Sequence, residues 1–85
     1  MVRRGDLVVV KTIGLCGFCV ETIGKKPTPN ISAAILIPAN FPGIVMDIHY
    51  DKINGRGGSK LVILYYLVLF GGDPIYVKPE FLSAI

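Results

Sequence analysis

The run Lys60–Phe70, KLVILYYLVLF, sets ten apolar residues behind one lysine and has no polar face. A half-buried strand alternates apolar with polar residues. Here Leu61, Ile63, Tyr65, Leu67 and Leu69 fall on one side and Val62, Leu64, Tyr66, Val68 and Phe70 on the other. The β-branched and aromatic content, closed by Gly71-Gly72, favours a strand over a helix. The run is well short of the roughly 20 residues a membrane-spanning helix needs. A strand that is apolar on both sides needs two covers, and a chain of 85 residues supplies only one core. The second cover is expected to be another protein.

The length makes one domain, 1–85, and a domain of this size buries only about 60–65% of its unfolded surface. Counting glycine and leaving out tyrosine, 50 of the 85 residues are apolar, about 59% where ~45–50% is usual. A small sphere cannot hide that much, so exposed apolar patches suited to interaction are expected. The formal charge of +3 permits contact with phosphate without demanding it. Arg3 and Arg4 are followed by Gly5-Asp6, which does not read as a signal peptide. Synthesis in the cytosol, no membrane partner and reduced cysteines are therefore expected.

Along the chain, Leu7–Ile13 reads as a first strand, with Leu7, Val9 and Lys11 on one face and Val8, Val10 and Thr12 on the other. Residues 14–42 read as an extended loop or arm. A turn-rich tip at Gly24–Asn30 separates the apolar stretches Phe18–Ile23 and Ile31–Ile37, which a hairpin folded back over the body would explain. Pro42-Gly43 opens the strand Ile44–Tyr50, with Ile44, Met46, Ile48 and Tyr50 expected inward and Val45, Asp47 and His49 opposite. Asp51–Ser59, with Asn54-Gly55 and Gly57-Gly58, reads as a connector between strands. After the central strand, Gly71–Pro74 is a tight turn and Ile75–Lys78 a short strand. Pro79–Leu82 gives one helical turn and Ser83–Ile85 an edge strand. The expectation is an all-β fold, a small five-stranded SH3-like barrel with a long arm between its first two strands.

The segments GDLVVV (5–10), PGIVMDI (42–48), YLVLF (66–70) and PIYVKPEFL (74–82) resemble short SH3-like barrel proteins of tailed bacteriophages. The resemblance covers about half of the chain, and the long segment between the first two strands departs from it. It implies a virion or accessory protein that works by binding, as a capsid, neck, tail or baseplate component made in the host cytoplasm. Its partners would be other virion proteins or further copies of itself.

Chemistry-bearing motifs are few. Cys16-Gly17-Phe18-Cys19 is a C-x-x-C, but thiol activation needs a helix N-terminus in a βαβ setting, and a structural zinc needs two more ligands. One chain has only His49 to add, although a dimer could bring two such pairs; no metal and no cofactor are expected. Asn54–Lys60 (NGRGGSK) lacks the GxxxxGK[ST] of a phosphate loop. His49, beside Asp47, reads as an exposed surface histidine, and no enzyme is expected.

Two binding surfaces follow. For protein assembly the expected contacts are Val62, Leu64, Tyr66, Val68 and Phe70 of the central strand, with Ile31, Ile35, Leu36 and Ile37 of the arm. For the alternative, a nucleic-acid-binding module, they are Arg3, Arg4, Lys52, Arg56 and Lys60, with Tyr50, Tyr65 and Tyr66 able to stack on bases.

Overall fold

A computed structural model describes residues 2–11 and 15–85, without the side chains of Leu15 and Cys16. The described strands are β1 (Leu7–Val10), β2 (Leu15–Ile23), β3 (Lys26–Ile37), β4 (Pro42–Gly55), β5 (Gly58–Phe70), β6 (Asp73–Val77) and β7 (Leu82–Ala84). They form one antiparallel sheet in the order β3-β2-β6-β5-β4-β1-β7. A single 3-10 turn, Pro79–Phe81, precedes β7. The fold is all-β, and the sheet is open, with β3 and β7 at its edges.

Five of the strands, β1 and β4–β7, lie at the places expected, but β1 ends at Val10, with Lys11 outside it, and β4 and β5 run longer than expected. The other two come from the segment read as an arm. It is a hairpin, but it is built into the sheet: β2 pairs with β6 through Phe18–Tyr76 and Cys19–Ile75. Its turn is Gly24-Lys25, and Pro27, Thr28 and Pro29 lie within β3. Proline is tolerated there because β3 is an edge strand, with no second neighbour to receive a ladder hydrogen bond. Opposite the Phe18/Cys19 step the pairing jumps from Ala34 to Asn30, so Ile31, Ser32 and Ala33 leave the ladder. The Asn30 side chain accepts a hydrogen bond from the Ser32 N–H at 3.1 Å and shapes that outward loop. The expected extension of the first strand to residues 12 and 13, and Gly14 after it, lie outside the described residues.

The connector expected at Asp51–Ser59 is instead strand. β4 and β5 stay paired as far as Gly55–Gly58, and only Arg56-Gly57 turns. At the other end of β5 the expected tight turn is present, with Gly71 and Gly72 at φ 57° and 94°, a region that favours glycine.

One core cluster joins Val8 and Val10 of β1, Ile37 of β3, Val45 of β4, Tyr66, Val68 and Phe70 of β5, Ile75 and Val77 of β6, and Leu82 of β7. Residues from both edge strands meet in it, so the sheet curls around it. Cross-strand rows such as Val45–Val68–Ile75 and Ile48–Tyr66–Val77 face this core. Rows such as Leu7–Ile44–Leu69–Pro74 and Asp47–Leu67–Tyr76–Phe18 face away from it. At the start of β4 and along β5 the faces are thus the reverse of those expected, whereas Ile48 and Tyr50 lie on the core side as expected. Val45 is buried while Ile44 and Met46 are exposed; Tyr66, Val68 and Phe70 are core, while Tyr65, Leu67 and Leu69 are only half-buried.

Gly43 is required by packing. A Cβ there would sit 2.5 Å from Val68 Cγ1 and 2.8 Å from the Phe70 ring, so β4 passes over these two core side chains at a separation only glycine allows.

Candidate interaction surface

β4 and β5 are 14 and 13 residues long, but their neighbours in the sheet are short. β1 covers β4 only from Pro42 to Ile44, and β6 covers β5 only from Tyr66 to Phe70. Beyond the Tyr50–Ile63 pair the two strands continue as a ribbon with no strand on either side among the described residues. An isolated two-stranded hairpin is marginal in water. Every residue from Tyr50 to Leu61 is exposed, including Tyr50, Ile53 and Leu61, the last at 66%.

The register assigns the ribbon's faces. Tyr50–Ile63 and Lys52–Leu61 continue the core side of the sheet, and Ile63 packs against the core. Asp51–Val62 and Ile53–Lys60 continue the outer side. Of the basic residues expected to act together, Lys52, Arg56 and Lys60 lie on this ribbon, but Lys52 and Lys60 point to opposite faces. Arg3 and Arg4 are elsewhere, in the turn before β1. Arg3 donates its backbone N–H to Asp6 at 2.9 Å, and the Arg4 guanidinium lies 4.0 Å from the Asp47 carboxylate in an exposed pair. An exposed pair of this kind contributes about 0–1 kcal/mol.

The expected protein-contact residues also divide. Tyr66, Val68 and Phe70 belong to the core and offer no surface in this fold, because β5 presents its even-numbered residues inward at this end. Val62 is half-buried on the ribbon and Leu64 is exposed. On β3, Ile37 is buried and Ile35 packs against the core, whereas Leu36 and Ile31 are 71% and 73% exposed.

An aromatic group on the outer side of the sheet was not foreseen from the residues. The rings of Phe18, Tyr65, Tyr76 and His49 follow one another edge to face, with centroids 6.0, 6.1 and 4.8 Å apart. Such geometry suits the ring quadrupoles. His49 is half-buried rather than exposed, because its Nε2 is hydrogen-bonded to the Tyr76 hydroxyl at 3.1 Å. Tyr76 is fully buried, and burial first, then the Asp47 carboxylate, pushes its hydroxyl above the ordinary tyrosine value. Burial and Tyr50 do the same for Tyr66. The cross-strand rows produce this cluster; local spacing could not show it. A second outer feature is an open apolar depression of about 350 Å³ lined by Leu7, Pro42, Gly43, Ile44, Leu69, Gly71 and Gly72.

Cys19 is half-buried and its thiol is free; the Cys16 side chain lies outside the described residues. Among the described residues no three His, Cys, Asp or Glu side chains are grouped to hold a metal ion. No helix among them is long and apolar enough to cross a membrane.

The surface is larger than a chain of this mass usually shows. The accessible area is 5748 Å², whereas the scaling for monomers gives about 4,900 Å² at 9.2 kDa. The radius of gyration, 13.2 Å, likewise exceeds the roughly 12 Å expected for 85 residues. A ribbon of two uncovered strands raises both quantities. Comparison with protein-family models, with curated proteins and with solved structures gives no match.

Proposed function

We propose that this protein is a non-enzymatic assembly component that binds protein partners through its projecting β4–β5 ribbon. The observation that carries the reading is the ribbon itself: residues 50–63 form two strands without neighbours among the described residues, bearing Tyr50, Ile53 and Leu61 in the open. Exposed Leu64 beside the ribbon, and Ile31 and Leu36 on β3, supply further apolar contact.

The resemblance to small SH3-like barrel proteins of tailed bacteriophages gives this assembly a setting, a virion and its capsid, neck, tail or baseplate. In support, the five strands that carry the resembling segments are neighbours in the order β6-β5-β4-β1-β7, with one 3-10 turn before the last. A small barrel with an added hairpin is the finer fold we propose for this connectivity.

The test is the variant carrying Ile53→Asp and Leu61→Asp. Both side chains are exposed, so the strand spectrum by circular dichroism should match wild type. The wild-type protein is expected to associate, with a light-scattering mass above 9.2 kDa or recovery in purified particles, and the variant to lose that association. A wild type that stays at 9.2 kDa at millimolar concentration and is absent from particles would overturn the reading.

One observation favours a second reading. Lys52, Arg56 and Lys60 lie on a two-stranded ribbon, and a ribbon of that width fits the major groove of duplex DNA. Binding by three cations would weaken steeply with salt, with a log–log slope of about −2 to −3. Absence of binding at low salt removes this reading.

A further inference from the structure

The outer side of the ribbon carries four residues in two adjacent cross-strand pairs, Asp51–Val62 and Ile53–Lys60. The acid and the base stand at opposite corners of this quartet, and the two apolar residues occupy the other corners. We infer that the partner of this face is a second copy of the chain, docked through the same quartet about a two-fold axis. The inference rests on the assembly reading above and gives it a partner.

The geometry follows from strand dimensions alone. Pairs two residues apart along a strand are separated by about 6.8 Å, and paired strands by about 4.8 Å. Place the two-fold axis in the plane between two such faces, perpendicular to the Asp51–Lys60 diagonal. It carries Asp51 onto Lys60 of the partner subunit, and Lys60 onto the partner's Asp51. It brings Ile53 beside the partner's Ile53 and Val62 beside the partner's Val62. The ribbons then cross at roughly 70°, close to the orthogonal class of sheet packing. An isologous contact of this kind is closed and ends at two copies.

One feature of the surface favours a second copy over an unrelated partner. The charge pattern is complementary to itself under that axis: both ion pairs form, and no like charges meet. A polyanion would not need Asp51, whose carboxylate stands one residue from Lys52 and repels phosphate.

The experiment is charge reversal with the full chain. Asp51→Lys and Lys60→Asp are prepared singly and together, and solution mass is measured by sedimentation at low salt. Wild type is expected near twice 9.2 kDa, each single variant near 9.2 kDa, and the double variant near the wild-type mass again. Each single variant should show at least a tenfold weaker dimer. All affected residues are exposed, so the circular dichroism of every variant should be that of the wild type. A double variant that does not recover overturns the inference, as does a wild type that sediments as one copy. If Ile53→Asp with Leu61→Asp abolishes association while the charge reversals change nothing, the assembly reading stands and self-pairing falls. If Lys60→Asp abolishes binding to duplex DNA and adding Asp51→Lys does not restore dimers, the occupant is nucleic acid and self-pairing is overturned.

Discussion

Met46 and Leu64 are the two unpaired residues of the β4–β5 ladder, one on each strand, and their irregularities cancel. Val45 pairs with Val68 and Asp47 with Leu67, so Met46 is extra on β4. His49 pairs with Tyr65 and Tyr50 with Ile63, so Leu64 is extra on β5. Between them the register is shifted by one residue, and beyond Leu64 it returns to its starting value. Each bulge raises the local twist. Together they let the strands bend round the core and then run on, in register, to the Arg56-Gly57 turn.

The first prediction tests the faces this register sets. Val68→Asp puts a carboxylate in the core, where an unpaired charge costs several kcal/mol, and the protein should not fold. Leu64→Asp, on the bulge, should fold with a melting temperature within a few degrees of wild type. Thermal melts by circular dichroism decide it. Equal damage from both would mean that the bulge residue is packed.

Gly43→Ala pushes a methyl group into Val68 and the Phe70 ring. Overpacking of this kind costs about 1–3 kcal/mol. In a domain of this size each kcal/mol moves the melting temperature by about 4–8 °C, so a fall of roughly 5–20 °C is expected. Gly57→Ala, with nothing within 4 Å, is the control and should change little.

Raised tyrosine values set a stability limit on the alkaline side. Tyr66 and Tyr76 hold their protons to higher pH when folded than when unfolded. Their contribution is complete below the unfolded value of about 10 and is lost as pH rises through the folded values. Tyr76→Phe should cost about 1 kcal/mol near neutrality through loss of the His49 hydrogen bond. It should then lose less than wild type between pH 8 and pH 11. Equal losses over that interval would show that Tyr76 does not set the limit.

Shortening the ribbon separates its role from that of the body. Asp51 joined to Val62 through Asn-Gly keeps a two-residue hairpin in register. The core residues are untouched, so the protein should fold, with its radius of gyration falling from 13.2 Å toward about 12 Å by small-angle X-ray scattering. An unfolded product would mean that the ribbon belongs to the folding unit.

The sequence showed strands where apolar runs end in strong punctuation. Gly5-Asp6, Pro42-Gly43, Gly71-Gly72 and Pro79 each bound an element close to the expected place. It misled where punctuation sits inside a ladder. Asn54-Gly55 and Gly57-Gly58 suggested a loop, but strand pairing continues through Gly55 and Gly58. Pro27 and Pro29 suggested a tip, yet an edge strand admits them. Which side of β5 faces the core could not be read at all, because the run is apolar on both sides and Met46 and Leu64 shift the phase. The ribbon surface was hidden for the same reason: whether a strand residue is covered depends on how far β1 and β6 extend beside it.

The free margin of β3 bears on how large a structure this molecule can build. Pro27 and Pro29 have no N–H to offer, and Ile31–Ala33 swing away from the line of the strand, so only Ala34–Ile37 remains straight. Four residues give a newcomer too little backbone to zip against, and fibre growth by sheet extension is stalled at this side. A chain so rich in uncovered apolar groups would otherwise be at risk of amyloid. At this edge, copy number is left to side chains, which can be matched, counted and ended.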